Sequence, residues 1–265
     1  MSSEPSAGGS DPRRPGARLV TAAQVLLALA GILYLGVVVE AAAGWPLDPA
    51  RSYLSELAAL DQATSPLFRS TDVASGALVL VGLALLGTAY VRARRAGAPA
   101  ATLGQKVTFW AFVAFGLATV ADALLPLDCA LSVGDCAARE AAGELSLAHE
   151  AHTFSSVASG VSSFVASAGV VWLARARRRT LLGFSARLAG ALGPFLGVVT
   201  GAIGLFGSPL PVGTGIVQRV QVVAFSVVLV LAVQVLTLRR PRRRAPETDV
   251  PQDGTARSPV AHSEP

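Results

Sequence analysis

The chain has 265 residues, of which 52% are hydrophobic and only 15% charged, with a formal net charge of +5 at pH 7. Its mean hydropathy is +0.54, too apolar for a water-soluble domain of this size, which needs more charge to cover its surface. The pI near 10.0 raises nucleic acid as a partner, but the basic residues lie beside apolar stretches rather than on one patch, which argues against it.

Residues 1–17 are rich in Ser, Gly and Pro and cannot bury a core, so they read as a disordered tail. Six apolar stretches follow, each about 20 residues and long enough to cross a roughly 30 Å hydrocarbon layer as a helix. They are 18–39, 72–91, 107–126, 152–174, 182–206 and 215–238. The first is too long for a cleavable signal and lacks a clear small-residue cleavage site. Residues 241–265 form a second disordered tail, and His262 within it carries no expected role. The expectation is an all-α polytopic bundle of six transmembrane helices over 18–240, with no soluble domain.

Charge gives that bundle an orientation. Seventeen of the 22 basic residues flank one side of the six stretches, and eleven of the 17 acidic residues fall on the other. Arg13, Arg14 and Arg18 precede the first span. Arg92, Arg94, Arg95 and Lys106 separate the second from the third, and Arg175, Arg177, Arg178, Arg179 and Arg187 the fourth from the fifth. Arg239, Arg240, Arg242, Arg243 and Arg244 follow the sixth. Lys and Arg are retained on the cytoplasmic side, so both termini are expected there, in the plasma membrane. The same arginines suit anionic lipid headgroups.

Between the first two spans, Asp48-Pro49 reads as a helix start, with Tyr53, Leu54, Leu57 and Leu60 at helical spacing behind it. This predicts a short amphipathic helix in the headgroup region or tucked over the bundle mouth. Ser65-Pro66 is a second start signal and would carry Arg69 and Asp72 into the next helix. The connection 127–151 holds Cys129 and Cys136, with six residues between them, Gly134 among these, in a compartment that permits disulfides; a small disulfide loop is expected. In the fifth span Gly190, Gly193, Gly197, Gly201 and Gly204 share a face for close helix packing, and Pro194 invites a kink. Ser156, Ser159, Ser163 and Ser167 form a comparable stripe in the fourth span. Packing is the expectation for it, a polar lining the alternative. No ionisable residue lies midway along any span, which weighs against an ion-coupled transporter.

The acidic side gathers the unusual polar residues. Glu40, Asp72, Asp122, Asp128, His149, His152, Gln218, Arg219 and Gln221 share one membrane depth. His149 and His152 are three apart and project from one helical face. With Asp72, Asp122 or Asp128 they offer the mixed imidazole and carboxylate set of a Zn²⁺ site able to acidify water. The alternative is a structural network, with Asp122–Arg219 the first expected ion pair and Arg69 a further structural cation. Ser55, beside Glu56, is a candidate nucleophile if a histidine approaches it, though no nucleophile-elbow glycines surround it.

Three segments carry a family resemblance: Asp48 through Leu57; Leu67-Phe68-Arg69 with Asp72 and Gly76; and Asp122 through Cys129 with His149 and His152 downstream. Together they resemble the bacterial multi-pass proteins grouped as domain of unknown function 998. That resemblance implies a six-helix integral membrane protein and carries over no catalytic residue. A chemical likeness also exists to membrane hydrolases of the alkaline ceramidase and progestin/adiponectin-receptor type, which use a Ser, an Asp and three His around zinc. This chain offers Ser55 or Ser75, Asp122 and two histidines. A structural or interaction role is the leading expectation. A metal-dependent lipid hydrolase and a small-solute transporter or channel are the alternatives.

Overall fold

The computed structural model describes residues 16–175, 180–204 and 211–237. Arg13, Arg14, Arg177–Arg179, the basic run after residue 238, His262 and nearly all of both tails lie outside the described residues. Within them the secondary structure is helical. Helices α1 (Ala17–Leu33) and α2 (Gly36–Ala42) are followed by a 3-10 turn (Leu54–Ala58) and by α3 (Ser65–Arg95), α4 (Leu103–Leu124), α5 (Cys136–Ala141), α6 (Leu147–Ala174), α7 (Leu181–Gly204) and α8 (Thr214–Leu236). Five of these are long and apolar enough to cross a membrane, six if α1 and α2 count as one bent span. The helices form a ring in chain order. α1 packs on α3, α3 on α4, α4 on α6, α6 on α7 and α7 on α8, and α8 closes back onto α1.

The first expected span is therefore broken. Leu35 leaves the helical region (φ −71, ψ 57), Gly36 N–H donates to the Tyr34 carbonyl, and the chain bends by 45°. This is an inverse γ-turn. The bend brings Leu54 against Gly36, where an added Cβ would lie 2.8 Å from Leu54 Cδ2. α3 starts at Ser65 with Pro66 in its first turn, so Asp72 lies about two turns inside a helix rather than at its start. α7 runs on through Pro194.

The amphipathic helix expected from Asp48 is a correction. The Asp48 carboxylate accepts from its own Ala50 N–H at 2.9 Å, and Tyr53 is extended at φ −73, ψ 151. Only Leu54–Ala58 coil, as a single 3-10 turn whose first free N–H, that of Tyr53, is taken by Glu56 Oε1 at 2.7 Å. Local side-chain hydrogen bonds out-compete the helix here. The segment still tucks over the bundle, with Leu57, Ala58 and Ala59 buried and Leu60 exposed.

The bundle has two storeys. Toward the arginine-rich end the ring is filled by Leu27, Leu83, Leu86, Phe112, Val170, Ala186, Val228 and Leu229. Small residues let the backbones meet between this core and the acid-rich end. An added Cβ on Gly31 would sit 2.7 Å from the Ser226 carbonyl, and one on Gly76 2.8 Å from the Gly116 carbonyl. The acid-rich end has its own small core of Leu47, Leu57, Phe68, Leu127 and Ala130, which binds the two long connections together.

Candidate functional site: a polar cavity at the acid-rich end

Between these two cores lies a cavity of about 1250 Å³. It runs from the connections 51–56 and 131–140 down to Ser163 on α6, Gly197 on α7 and Gln221 on α8. Ser163 is midway along the expected span 152–174. Tyr34 lines the cavity and packs edge-on against Phe115 (5.2 Å) and Phe225 (6.1 Å). Phe225 in turn meets Phe115 and Phe112, so an aromatic layer lies beneath Tyr34.

Four acidic residues line this space: Glu56 and Glu140 from the connections, and, deeper, Asp72 from α3 and Asp122 from α4. Asp72 and Asp122 are near enough to sense each other's charge, and Tyr34 is an electrostatic neighbour of both. Asp122 Oδ1 accepts from the hydroxyls of Ser155 at 2.6 Å and Ser156 at 2.8 Å and lies 3.6 Å from His152 Nδ1. The expected Asp122–Arg219 pair does not form. Arg219 is captured by Glu40, with Nε to Oε2 at 2.7 Å and the second amino group to Oε1 at 2.5 Å. Its remaining nitrogen donates to the carbonyls of Pro49 (3.0 Å), Ser52 (2.8 Å) and Gly215 (3.1 Å). The bend after Tyr34 is what turns Glu40 inward, so this pairing has no signal in the local sequence. Glu40 is fully buried and Arg219 4% exposed.

The histidines share a face, as expected, and that face meets the end of α4. His149 Nδ1 accepts the Asp128 backbone N–H at 3.1 Å. An amide N–H only donates, so Nδ1 carries the lone pair and Nε2 the proton. Nε2 points toward Glu140, 3.7 Å away. His152 Nδ1 sits 2.8 Å from the Leu125 carbonyl and 3.2 Å from that of Asp122, so there Nδ1 must be the donor. Its Nε2 is buried with no hydrogen-bond partner. Arg69 Nε donates to the Ala123 carbonyl at 2.9 Å, so α4 ends on a cation and an imidazole that satisfy its last carbonyls.

The zinc expectation for His149, His152, Asp72, Asp122 and Asp128 does not find its geometry. Among the described residues no group of three or more His, Cys, Asp or Glu could hold a metal ion. His149 would need both nitrogens unprotonated to ligate through Nε2 while accepting from Asp128. Asp128 points elsewhere, accepting from Ser146 N–H at 2.6 Å and its hydroxyl at 2.7 Å; these bonds hold its carboxyl below the usual carboxylate range. Ser55 lines the rim of the cavity without a hydrogen bond to a histidine among the described residues.

Cys129 and Cys136 are joined by a disulfide, with Cα atoms 5.9 Å apart. The loop it closes carries Ser132, whose N–H (2.8 Å) and hydroxyl (2.6 Å) both donate to Glu56 Oε2. Leu60 N–H donates to the Leu127 carbonyl and Ala130 N–H to Asp61. The two connections thus form one cap over the cavity.

A family model described as "Protein of unknown function (DUF998)" matches residues 27–235. The chain belongs to the DUF998 family. The match begins inside α1 and ends in α8, so every helix that lines the cavity is DUF998 sequence. Neither the curated proteins nor the solved structures give a match. Among the residues that line this DUF998 cavity, sequence reading missed Tyr34, Thr119, Thr153 and Thr200, and it missed Ser155, which donates to Asp122 Oδ1. Ser155 lies one place outside the serine stripe, and Tyr34 is one of two tyrosines inside the expected spans, the other being Tyr90. The stripe itself divides: Ser156, Ser159 and Ser163 line the cavity, while Ser167 packs where an added Cβ on Gly190 would lie 3.0 Å from its carbonyl.

Proposed function

We propose that this DUF998 protein binds and moves a small cationic solute through a cavity that opens to the outside of the plasma membrane. The observation that carries the reading is a membrane-depth cavity whose deep carboxylates, Asp72 and Asp122, have no Arg or Lys beside them among the described residues of its lining. Arg51, the one arginine among the described lining residues, is exposed at the rim and pairs with Asp48. Carboxylates in a space of low dielectric favour a cation strongly, and Tyr34, Tyr53 and Phe68 add aromatic surface that suits one. A purely structural network would instead leave these acids paired. The arginine-rich connections support an orientation with both termini cytoplasmic, where those arginines would meet anionic lipid headgroups.

Tetraphenylphosphonium and tetraphenylborate have the same shape and opposite charge. Purified protein in neutral detergent should bind the cation and reject the anion. Asp72→Asn and Asp122→Asn should each weaken cation binding about tenfold or more, the effect of roughly 1.4 kcal/mol. Equal binding of both probes, or indifference to both substitutions, would overturn the proposal. A fluorescent protein fused to the C-terminus should fold and emit; a dark fusion with an active periplasmic phosphatase fusion reverses the orientation.

A further inference from the structure

We infer that the solute is a cationic amphiphile, and that it enters sideways from the lipid through an opening between α6 and α7. The inference rests on the cation-binding reading above and names the class of cation.

The partner of α7 changes along its length. Toward the arginine-rich end it meets α6: an added Cβ on Gly190 would lie 3.0 Å from the Ser167 carbonyl and 2.9 Å from Val171 Cγ2. At Gly193 the contact is shared, 3.9 Å from Ser167 Oγ and 4.0 Å from Ala224 Cβ of α8. At Gly197 the nearest neighbour is Gln221 of α8, with Nε2 3.0 Å from the added Cβ. Pro194, which leaves one bond out of the helix ladder, stands between the two contacts.

The α6 side shows the same parting. Seven residues before Ser167 the same face carries Gly160, where an added Cβ meets no described atom within 4 Å. Gly160, Val157 and Val161 line the cavity, yet Val157 and Val161 are 60% and 59% exposed. Side chains that border a cavity and also face outward mark the edge of an opening. α6 runs from Leu147 to Ala174, so Val161 is near its midpoint, about 20 Å from its start. At that depth the opening faces hydrocarbon rather than water.

Two chemistries decide what fits. The edge is apolar, while the deep wall carries Asp72 and Asp122 with no Arg or Lys beside them among the described residues. A hydrated ion would lose its water in crossing such an edge. A phospholipid would bring its phosphate against two carboxylates. A single cationic head on an apolar chain meets neither cost. Its head reaches the carboxylates while its chain stays in hydrocarbon, so no apolar surface moves into water. In the orientation proposed above, the outer leaflet supplies it.

Dodecylammonium with a diazirine midway along its chain tests the route. With the full chain in phosphatidylcholine nanodiscs, irradiation and peptide mapping should place label on α6 and α7 beside the opening. Excess tetraphenylphosphonium should cut that labelling at least tenfold and leave labelling of the other lipid-facing helices unchanged. Dodecanol with the same diazirine should label lipid-facing helices with no response to tetraphenylphosphonium. Asp72→Asn combined with Asp122→Asn should abolish the competed labelling, with a thermal melt reporting the fold; the wild-type competition stands without that variant. Competed label confined to any other segment, such as the connections 51–56 and 131–140, would overturn side entry. So would a wild-type chain that binds tetraphenylphosphonium but shows no competed label, or a folded double variant that keeps it. The first two of these results leave the cation site standing. A wild-type chain that binds no tetraphenylphosphonium removes both readings.

Discussion

Arg219 shows how much one side chain can organise. It donates to both oxygens of Glu40 and to three carbonyls, and so ties α2, the connection 49–52 and α8 together. Removing one partner of a buried pair leaves the other charge uncompensated, at a cost of about 3–5 kcal/mol. Arg219→Ala should therefore lower the melting temperature in detergent sharply. Arg219→Lys should rescue little, since an ammonium cannot span both Glu40 oxygens. The joint replacement Glu40→Leu with Arg219→Met should be milder than either single loss. Asp128 sets a different test. Its carboxyl is held low chiefly by the Ser146 backbone N–H and then by the Ser146 hydroxyl. The bond to Ser146 is fully present above the unfolded value of about 3.9 and is lost as pH falls through the lower folded value. Proteolysis between α5 and α6 should quicken below about pH 4, and Asp128→Asn should make the cleavage rate independent of pH there. Sequence alone could name Arg219, Glu40 and Asp122 as polar residues at one depth. It could not pair them, because the pairing depends on a backbone bend at Leu35 that no local propensity announces.

Helices were the most legible level. Five of six expected spans match a helix to within a few residues once their ends are extended, because 20-residue apolar runs have one solution in lipid. The connection after α2 was misread because Asp48-Pro49 is as good a turn opening as a helix opening. Glycines discriminate between packed and open faces. Gly76→Ala places a methyl 2.7 Å from Val120 Cγ2 and 2.8 Å from the Gly116 carbonyl. A backbone carbonyl cannot step aside, so overpacking should cost about 1–3 kcal/mol in chemical denaturation. Gly87→Ala meets only Phe109 Cζ at 3.7 Å and should be neutral or stabilising, through helix propensity. The glycine stripe of α7 was read as one packing face, yet Gly190 meets α6 and Gly197 meets Gln221 of α8, 3.0 Å from the added Cβ. Spacing along a helix shows which residues align, not how many neighbours divide that line.

At the scale of the whole molecule, a closed ring with one filled end leaves the other end hollow. The hollow was not legible in sequence, since serine stripes that pack and serine stripes that line water look alike before the neighbours are known. Gly160 tests it. It lines the cavity, and an added Cβ there has nothing within 4 Å. Gly160→Trp should keep the melting temperature of the parent while cutting tetraphenylphosphonium affinity at least tenfold, by filling the volume the solute needs. The same chain with Gly160→Ala should bind as the parent does.

The ring also imposes a schedule on synthesis. Glu40 emerges 179 residues before Arg219. At ordinary translation rates of about 5–20 residues per second, roughly 10 to 40 s pass before its counter-charge is made. During that interval the first span holds a carboxylate that cannot settle in lipid, and the ring has no closing wall. A chain that stalls or is cut before α8 is thus marked by an unanswered acid near its own beginning. The buried pair and the closing wall of the ring are both completed only by α8.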